Sequence, residues 1–292
     1  MKAYTLFPGC LISLRFPQFE VATIKVLKKL GVELKQLEDI TCCPEPLSMQ
    51  MLNLKSWYTI AARNICAAER VGNDLLTLCN GCNTTLFRVN RDLKINKELR
   101  DVVNKILKEV GKKFEGKIEV KSILRVLYED IGPDLIRKHV ESPLHGIKVA
   151  VHYGCHIFDE LKEYDDIKNP KSLKHIITAL GADVVSYKSE TLCCAAFARS
   201  IDEDISIKAV DEKLSDLIDA GADCLVVICP YCFLQYDLGQ IVMNRKLKKG
   251  FRIPVLYLTQ LMGLAFGFTP YDMGLEFHKV KPTRNLLMTS NK

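Results

Sequence analysis

Short apolar runs alternate with amphipathic helical segments along most of the chain. In the first half, the runs predict β-strands near residues 3–7 and 32–37 and in the stretch LLTL that ends at Cys79. Between these runs, apolar residues at helical spacing predict helices over about 17–30 and 54–71, and a further helix follows Cys79. Alternating strands and helices are typical of a parallel α/β sheet.

The same alternation returns in the second half. Strands are predicted near residues 147–151, 183–187 and 224–228, and the runs PVLYL and TQLMGLAFG predict a last strand and helix. Residues 95–142 form a charged stretch of helical pattern that is expected to connect the halves, with a soft boundary in VESPLHGI. The pattern therefore predicts an α/β fold with two pseudo-repeated parallel-sheet halves.

Ten of the twelve cysteines form two matched sets of five. The first quintet is Cys10, Cys42, Cys43, Cys79 and Cys82, and the second quintet is Cys155, Cys193, Cys194, Cys229 and Cys232. Matching members lie 145, 151, 151, 150 and 150 residues apart, and the flanking text repeats, as in KLGVELKQLEDITCC and ALGADVVSYKSETLCC. A regular internal offset indicates a duplicated and fused unit.

This duplication divides the chain into three predicted parts. Residues 1–142 form one repeat with a helical connector, 143–267 form the second repeat, and 268–292 form a C-terminal extension on the surface, with docking on a partner and a frayed tail as its two interpretations. In parallel sheets, functional groups gather beyond the carboxyl ends of the strands, and every member of both quintets follows a predicted strand.

Composition and charge narrow the class of protein. The chain has 292 residues, 48% hydrophobic and 26% charged, which excludes a disordered protein. The net charge of +6 is scattered rather than gathered into a basic arm, so nucleic acid is not an expected partner. No apolar run approaches the ~20 residues of a membrane span and the N-terminus does not resemble a signal peptide, so we expect a cytoplasmic protein with cysteines for metal or redox chemistry.

Two cysteine doublets, Cys42-Cys43 and Cys193-Cys194, limit what the thiols can do. Neighbouring Cα atoms lie about 3.8 Å apart, below the roughly 4.4 Å minimum of ordinary disulfides, so a doublet does not bridge to itself. A structural zinc site or a regular iron–sulfur cubane uses four ligands and leaves one cysteine of each quintet over. The count favours an unusual iron–sulfur cluster, with zinc and buried thiols as the alternatives.

The residues around the cysteines resemble a known family. A cysteine, then CC, then CxxC, present twice, is similar to the cysteine-rich CCG domain in two copies. The stretches VHYGCH, AARNI, CNGC and LQYDLGQ resemble the catalytic B subunit of heterodisulfide reductase from methanogenic archaea and their relatives. The resemblance implies two non-cubane [4Fe-4S] clusters, one held by each quintet, and a methanogenesis substrate, the mixed disulfide of coenzyme M and coenzyme B, cleaved between them to two thiols.

It also implies partners. The chain has no dinucleotide-binding glycine motif and no ferredoxin CxxCxxCxxxC run, so electrons must come from another protein. The family uses an iron–sulfur C subunit and a flavin-bearing A subunit linked to hydrogenase or formate dehydrogenase.

One departure from the family pattern concerns the second doublet. The family continues CCG with further glycines, whereas Ala195, Ala196 and Phe197 follow Cys194. These side chains are expected to narrow or reshape the pocket. Two alternatives therefore stay open: a paralogous subunit acting on another disulfide or sulfur compound, and a non-catalytic electron-relay subunit.

Four further residues receive predicted roles. His156 follows Cys155 and is the candidate proton donor, with a buried structural histidine as the alternative. His152, on the preceding strand, is expected to be structural, and Cys66 and Cys224 are expected to pack in the core.

Overall fold

Two parallel four-stranded sheets organise the computed structural model, which describes residues 2–288. The first sheet has the order β2-β1-β3-β4, and the second has the order β6-β5-β7-β8. The strands are β1 Ala3–Phe7, β2 Glu33–Gln36, β3 Asp74–Thr77, β4 Val120–Ser122, β5 Lys148–His152, β6 Asp183–Val184, β7 Cys224–Val227 and β8 Val255–Tyr257. The predicted α/β fold with two repeated parallel-sheet halves is confirmed.

Helices cover both sheets. Those of the first half are α1 Cys10–Arg15, α2 Pro17–Lys29, α3 Ser48–Leu52, α4 Leu54–Val71, α5 Asn80–Ile95 and α6 Lys97–Leu107. The link to the second half contains α7 Ile123–Arg125, a π-helix at Val126–Ile131 and α8 Pro133–Lys138. The later helices are α9 Phe158–Leu161, α10 Ser172–Ala179, α11 Glu203–Asp219, α12 Pro230–Leu247, α13 Leu258–Ala265 and α14 Arg284–Met288.

Residues 95–142, expected to be a helical connector, contribute a strand to the first sheet. Strand β4 pairs in parallel with β3, with Leu75 opposite Val120. The strand has three residues, and Lys121 separates the two buried positions Val120 and Ser122, so the sequence has no apolar run here. Sequence periodicity therefore did not indicate it.

The described part of the predicted C-terminal extension packs against the rest of the chain. Met273, Leu275 and His278 are buried, and the amide of Gln260 in α13 donates to the Met273 carbonyl at 2.8 Å. Residues 268–288 therefore pack on the fold through these side chains while others, such as Tyr271 and Phe277, are exposed. Residues 289–292 lie outside the described residues, and the C-terminal extension stays a prediction. The boundaries at 142 and 267 stay a prediction.

The two halves share part of one hydrophobic core. Phe19 of α2 is fully buried between Phe233 of α12 and Tyr257 at the end of β8, with both ring centroids 4.7 Å away. Thr23, one turn later, lies 3.0 Å from Thr259 between their hydroxyl oxygens. Within the described chain, no helix combines the length and the apolar character needed to cross a bilayer.

Replacing Phe19 by alanine is expected to destabilise both halves together. Removing a fully buried phenyl ring typically costs about 3–5 kcal/mol in the free energy of unfolding, and this ring contacts the second half. Chemical denaturation followed by circular dichroism measures the loss. The control is Val21→Ala on the exposed side of the same helix, expected to change stability by less than about 0.5 kcal/mol. A Phe19→Ala protein with unchanged stability contradicts the shared core.

Candidate cysteine-lined redox site

One cavity of about 170 Å³ brings the two quintets together. All ten of the cysteines predicted as ligands line it, whereas Cys66 and Cys224 are buried elsewhere and do not. The cavity lies between the two halves, because each quintet comes from its own sheet. The ten cysteines that the sequence spacing groups together are thus the ones that line the cavity, and their role as ligands stays a prediction.

Each quintet is positioned by the carboxyl ends of parallel strands. Cys10 follows β1 and opens α1, and Cys155 follows β5. Cys79 and Cys229 are the N-cap residues of the long helices α5 and α12, so the CxxC pairs lie in the first turns of those helices. The partial positive charge at a helix N-terminus favours thiolate, which is the form that binds a soft metal.

A glycine before each leading cysteine allows the thiols to approach closely. Gly9 has φ +82°, and a Cβ there would lie 2.8 Å from the Cys82 Sγ. Gly154 has φ +77°, and its Cβ would lie 3.3 Å from the Cys232 Sγ. A side chain at either position is disfavoured both by the backbone conformation and by the sulfur in front of it.

The thiols form a continuous network of sulfur contacts. Cys194 and Cys232 lie 3.5 Å apart between their Sγ atoms. A hydrogen bond with Cys155 lowers the pKa of Cys193 to about 2, and a hydrogen bond with Cys232 holds the pKa of Cys229 well below its usual value. The pKa of Cys194 is raised to about 12, chiefly by Cys193.

The same network crosses from one half to the other. Cys79 interacts directly with Cys229, and this contact is the main reason that the pKa of Cys79 lies well above its usual value. Neighbouring thiolates repel each other, so the ionisation of one thiol raises the pKa of the next. Some of the thiols can therefore ionise only while the others stay protonated. Binding all ten as thiolates therefore needs positive charge among them. A donor set made of sulfur suits iron in an iron–sulfur cluster.

Two hydrogen bonds fix the halves against each other beside the thiols. The Asn80 amide of the first CxxC donates to the Tyr153 carbonyl at 2.7 Å. The Tyr257 hydroxyl, at the end of β8, donates to the Leu78 carbonyl at 2.5 Å. Both bonds are buried and join the two halves, so ordered contacts rather than flexible loops fix the distance between the quintets.

His156, the candidate proton donor, lies on the cavity wall. Its Nδ1 lies 3.9 Å from the place where a Cβ of Gly81 would stand, so a histidine of the second half reaches the CxxC turn of the first. The Thr84 hydroxyl donates to the His156 carbonyl at 2.5 Å and holds this backbone in place. The arrangement is compatible with proton donation into the cavity.

His152, expected to be structural, lies beside the second quintet. A ring nitrogen of His152 and the sulfur atoms of Cys194 and Cys232 all lie within 4.8 Å of one another. Lys213 of α11 is buried next to it, with Nζ 3.2 Å from Nδ1. Sequence reasoning missed Lys213, because a lysine in an amphipathic helix normally points to solvent. The matching position of the first half is also basic, Arg63, so a comparison of the two halves does not single it out.

The rim of the cavity differs between the two doublets. Ala195 has φ +53°, a conformation that glycine adopts without strain, and its amide donates to the Cys193 Sγ at 3.3 Å. Ala196 and Phe197 line the cavity, and Phe197 is 40% exposed. The departure from the family pattern thus reshapes the rim and leaves the cavity between the quintets open.

Comparisons with known proteins agree with this arrangement. A family model described as a cysteine-rich domain, CCG, matches residues 4–87 and 149–237. The chain is 38% identical to the B subunit of the ferredoxin:CoB-CoM heterodisulfide reductase of Methanosarcina mazei, over 96% of this chain and 95% of that protein. It is 30% identical to the 8-methylmenaquinol:fumarate reductase membrane anchor subunit of Wolinella succinogenes, over 97% and 99%.

Among solved structures, the crystal structure of a hypothetical protein from Helicobacter pylori matches 97% of this chain with a TM-score of 0.78. The two are 18% identical, and this chain spans 52% of that protein's length. The match shows a shared fold.

Replacing Gly9 by alanine is expected to lower metal binding by the first quintet. Its Cβ would press on the Cys82 sulfur and move a predicted ligand. Iron content after anaerobic reconstitution measures the effect, and we expect a loss of up to half of the iron. Gly72→Ala is the matched control, because Gly72 has nearly the same φ, +83°, and nothing within 4 Å of its Cβ position. Equal iron in the two variants contradicts the role of Gly9.

Proposed function

We propose that this chain, which belongs to the family of heterodisulfide reductase B subunits with two CCG cysteine-rich domains, reduces the heterodisulfide of coenzyme M and coenzyme B to two thiols. Membership gives the chain an iron–sulfur redox role in a multisubunit complex. The observation that carries the proposed reduction of the heterodisulfide is that both quintets line the same open cavity.

We assign one non-cubane [4Fe-4S] cluster to each quintet. Support comes from the count, because a cubane or a zinc ion would leave one cysteine of each set without a role. When bound, the two clusters would supply the two electrons of the reaction one at a time.

The exposure of the cysteines supports the proposed substrate position. Each quintet has three buried members and two exposed ones, which are Cys10 and Cys42 in the first and Cys155 and Cys193 in the second. A disulfide that enters from solvent would meet these exposed members first. Leu47, Phe197 and Tyr231 line the cavity at partly exposed positions, where apolar surface can pack against the carbon chains of the coenzymes.

Reduction of a disulfide consumes two electrons and two protons and releases two thiols. We propose His156 as one proton source, because its ring lies on the cavity wall close to the first CxxC turn. The electrons would come through an iron–sulfur C subunit and a flavin-bearing A subunit, served by a hydrogenase or a formate dehydrogenase. This partner assignment rests on the family.

A second function is an electron relay without substrate chemistry. The Wolinella succinogenes relative is similar over almost the whole chain and is named for a fumarate reductase. Phe197 and Ala196 at the rim also differ from the family pattern on which the substrate assignment rests. In this alternative the cavity would hold clusters and no disulfide would turn over.

Anaerobic purification followed by iron, sulfide and zinc analysis separates these possibilities. We expect about eight iron and eight sulfide per chain, and reduced viologen dye to be oxidised when the heterodisulfide is added. Cys10→Ala should lose iron and turnover, whereas Cys66→Ala, a control at a buried thiol outside the cavity, should lose neither. Full clusters without turnover would favour the relay, and zinc in place of iron would contradict both.

Replacing His156 by asparagine is expected to lower kcat for the heterodisulfide about 100-fold, the usual scale for a lost general acid. Iron content should stay unchanged, because asparagine keeps the loop polar and removes no sulfur. His175→Asn, at an exposed histidine away from the cavity, serves as the control and should keep full activity. An unchanged kcat in the His156→Asn protein would contradict the role as proton donor and favour the interpretation of His156 as a structural histidine.

A further inference from the structure

Three buried polar side chains, those of His152, Lys213 and Tyr236, lie next to the second quintet. His152 and Lys213 are each 1% exposed, and Tyr236 is fully buried. The Tyr236 hydroxyl and the His152 Nε2 have no hydrogen-bond partner among the described residues. Buried polar atoms normally have partners, and a group bound among these thiols would be close enough to supply one.

Lys213 orients the imidazole. Its ammonium donates to the carbonyls of Ser189 and Leu192, in the loop that leads to the second doublet, and lies 3.2 Å from the His152 Nδ1. An ammonium at that distance requires a lone pair on Nδ1, so the imidazole proton is on Nε2.

The Nε2 proton is close to the sulfur atoms of the second quintet. A Cβ on Gly154 would lie 3.9 Å from the His152 Nε2 and 3.3 Å from the Cys232 Sγ, so both atoms border the same small space. The Tyr236 ring packs edge-on against the imidazole, with centroids 5.2 Å apart. A ring nitrogen of His152 also lies within 4.8 Å of the sulfur atoms of Cys194 and Cys232.

Matching positions of the first half lack this arrangement. Phe7 occupies the place of His152, Leu86 the place of Tyr236, and Arg63 the place of Lys213. Arg63 instead pairs with Asp39 at the surface. The first quintet has a carboxylate nearby, because Glu45 lines the cavity where the second half has Ala196, and its charge raises the pKa of Cys43 against the stronger lowering by neighbouring thiols.

We propose that Lys213 is a positioning residue that fixes His152 to donate a hydrogen bond to the sulfur ligands of the second quintet, so that this centre is reduced at a more positive potential than the first. The inference rests on the proposed clusters. Hydrogen bonds to cluster sulfur and nearby positive charge both favour the reduced state, which carries one more negative charge. The first electron therefore resides on the second quintet.

A redox titration followed by electron paramagnetic resonance tests this in the full-length protein with both clusters loaded. His152→Phe places the residue of the first half at this position. It should lower the more positive midpoint potential by about 59 mV, which is a tenfold change in the equilibrium constant of a one-electron reduction. The other midpoint potential should stay unchanged. His152→Gln keeps an N–H donor and should recover part of the shift, and Lys213→Met should shift in the same direction as His152→Phe.

His278→Phe is the matched control, because it removes a buried imidazole whose pKa is not influenced by the thiols. It should move neither midpoint. Loaded wild-type protein whose midpoints do not respond to His152→Phe would overturn this inference alone, whereas wild-type protein without iron would overturn the proposed function. If a variant loses the second cluster, the surviving signal must be the more negative one, and survival of the more positive signal would also overturn the inference.

Discussion

Ten sulfur atoms share one cavity, and their mutual repulsion when ionised is the constraint on which the site depends. In the chain itself, the pKa values of a few thiols such as Cys193 and Cys229 are lowered chiefly because neighbouring thiols donate hydrogen bonds to them. Other thiols, such as Cys79 and Cys82, hold their protons more tightly than usual. A bound cationic centre would replace these shared protons, so metal binding must release protons and stabilise the loops that carry the doublets.

The fold and the sulfur residues could be predicted because both are repeated at a regular offset. Strands β1, β3, β5 and β7 end where the apolar runs end, and parallel pairing then places their following residues at one edge of each sheet. Strand β4 escaped prediction because it has three residues with a lysine at the centre. The packing of 268–288 was also missed, since contacts such as Gln260 to Met273 arise only in the tertiary structure.

The polar surroundings of the site were not predictable from local pattern. Lys213 lies at a helix position that solvent normally covers, and only folding brings it against His152 and the carbonyls of Ser189 and Leu192. His156 was chosen for its neighbour Cys155, yet its ring reaches the opposite CxxC turn at Gly81. Sequence adjacency identified this residue, while the cluster that it would serve depends on how the two halves pack.

Duplication gives the two halves the same arrangement of cysteines, and differences at single matching positions make the surroundings of the two quintets different. The glycines, the CxxC turns and the strand ends are common to both halves, so the proposed ligands of each half are presented in a similar way. Phe7 in the place of His152 and Leu86 in the place of Tyr236 make the surroundings of the first quintet less polar and remove hydrogen-bonding groups from them. Under the proposed function, the two sides of the pocket would differ as electron donors, and a heterodisulfide, whose two sulfur atoms also differ, would then bind in one preferred orientation.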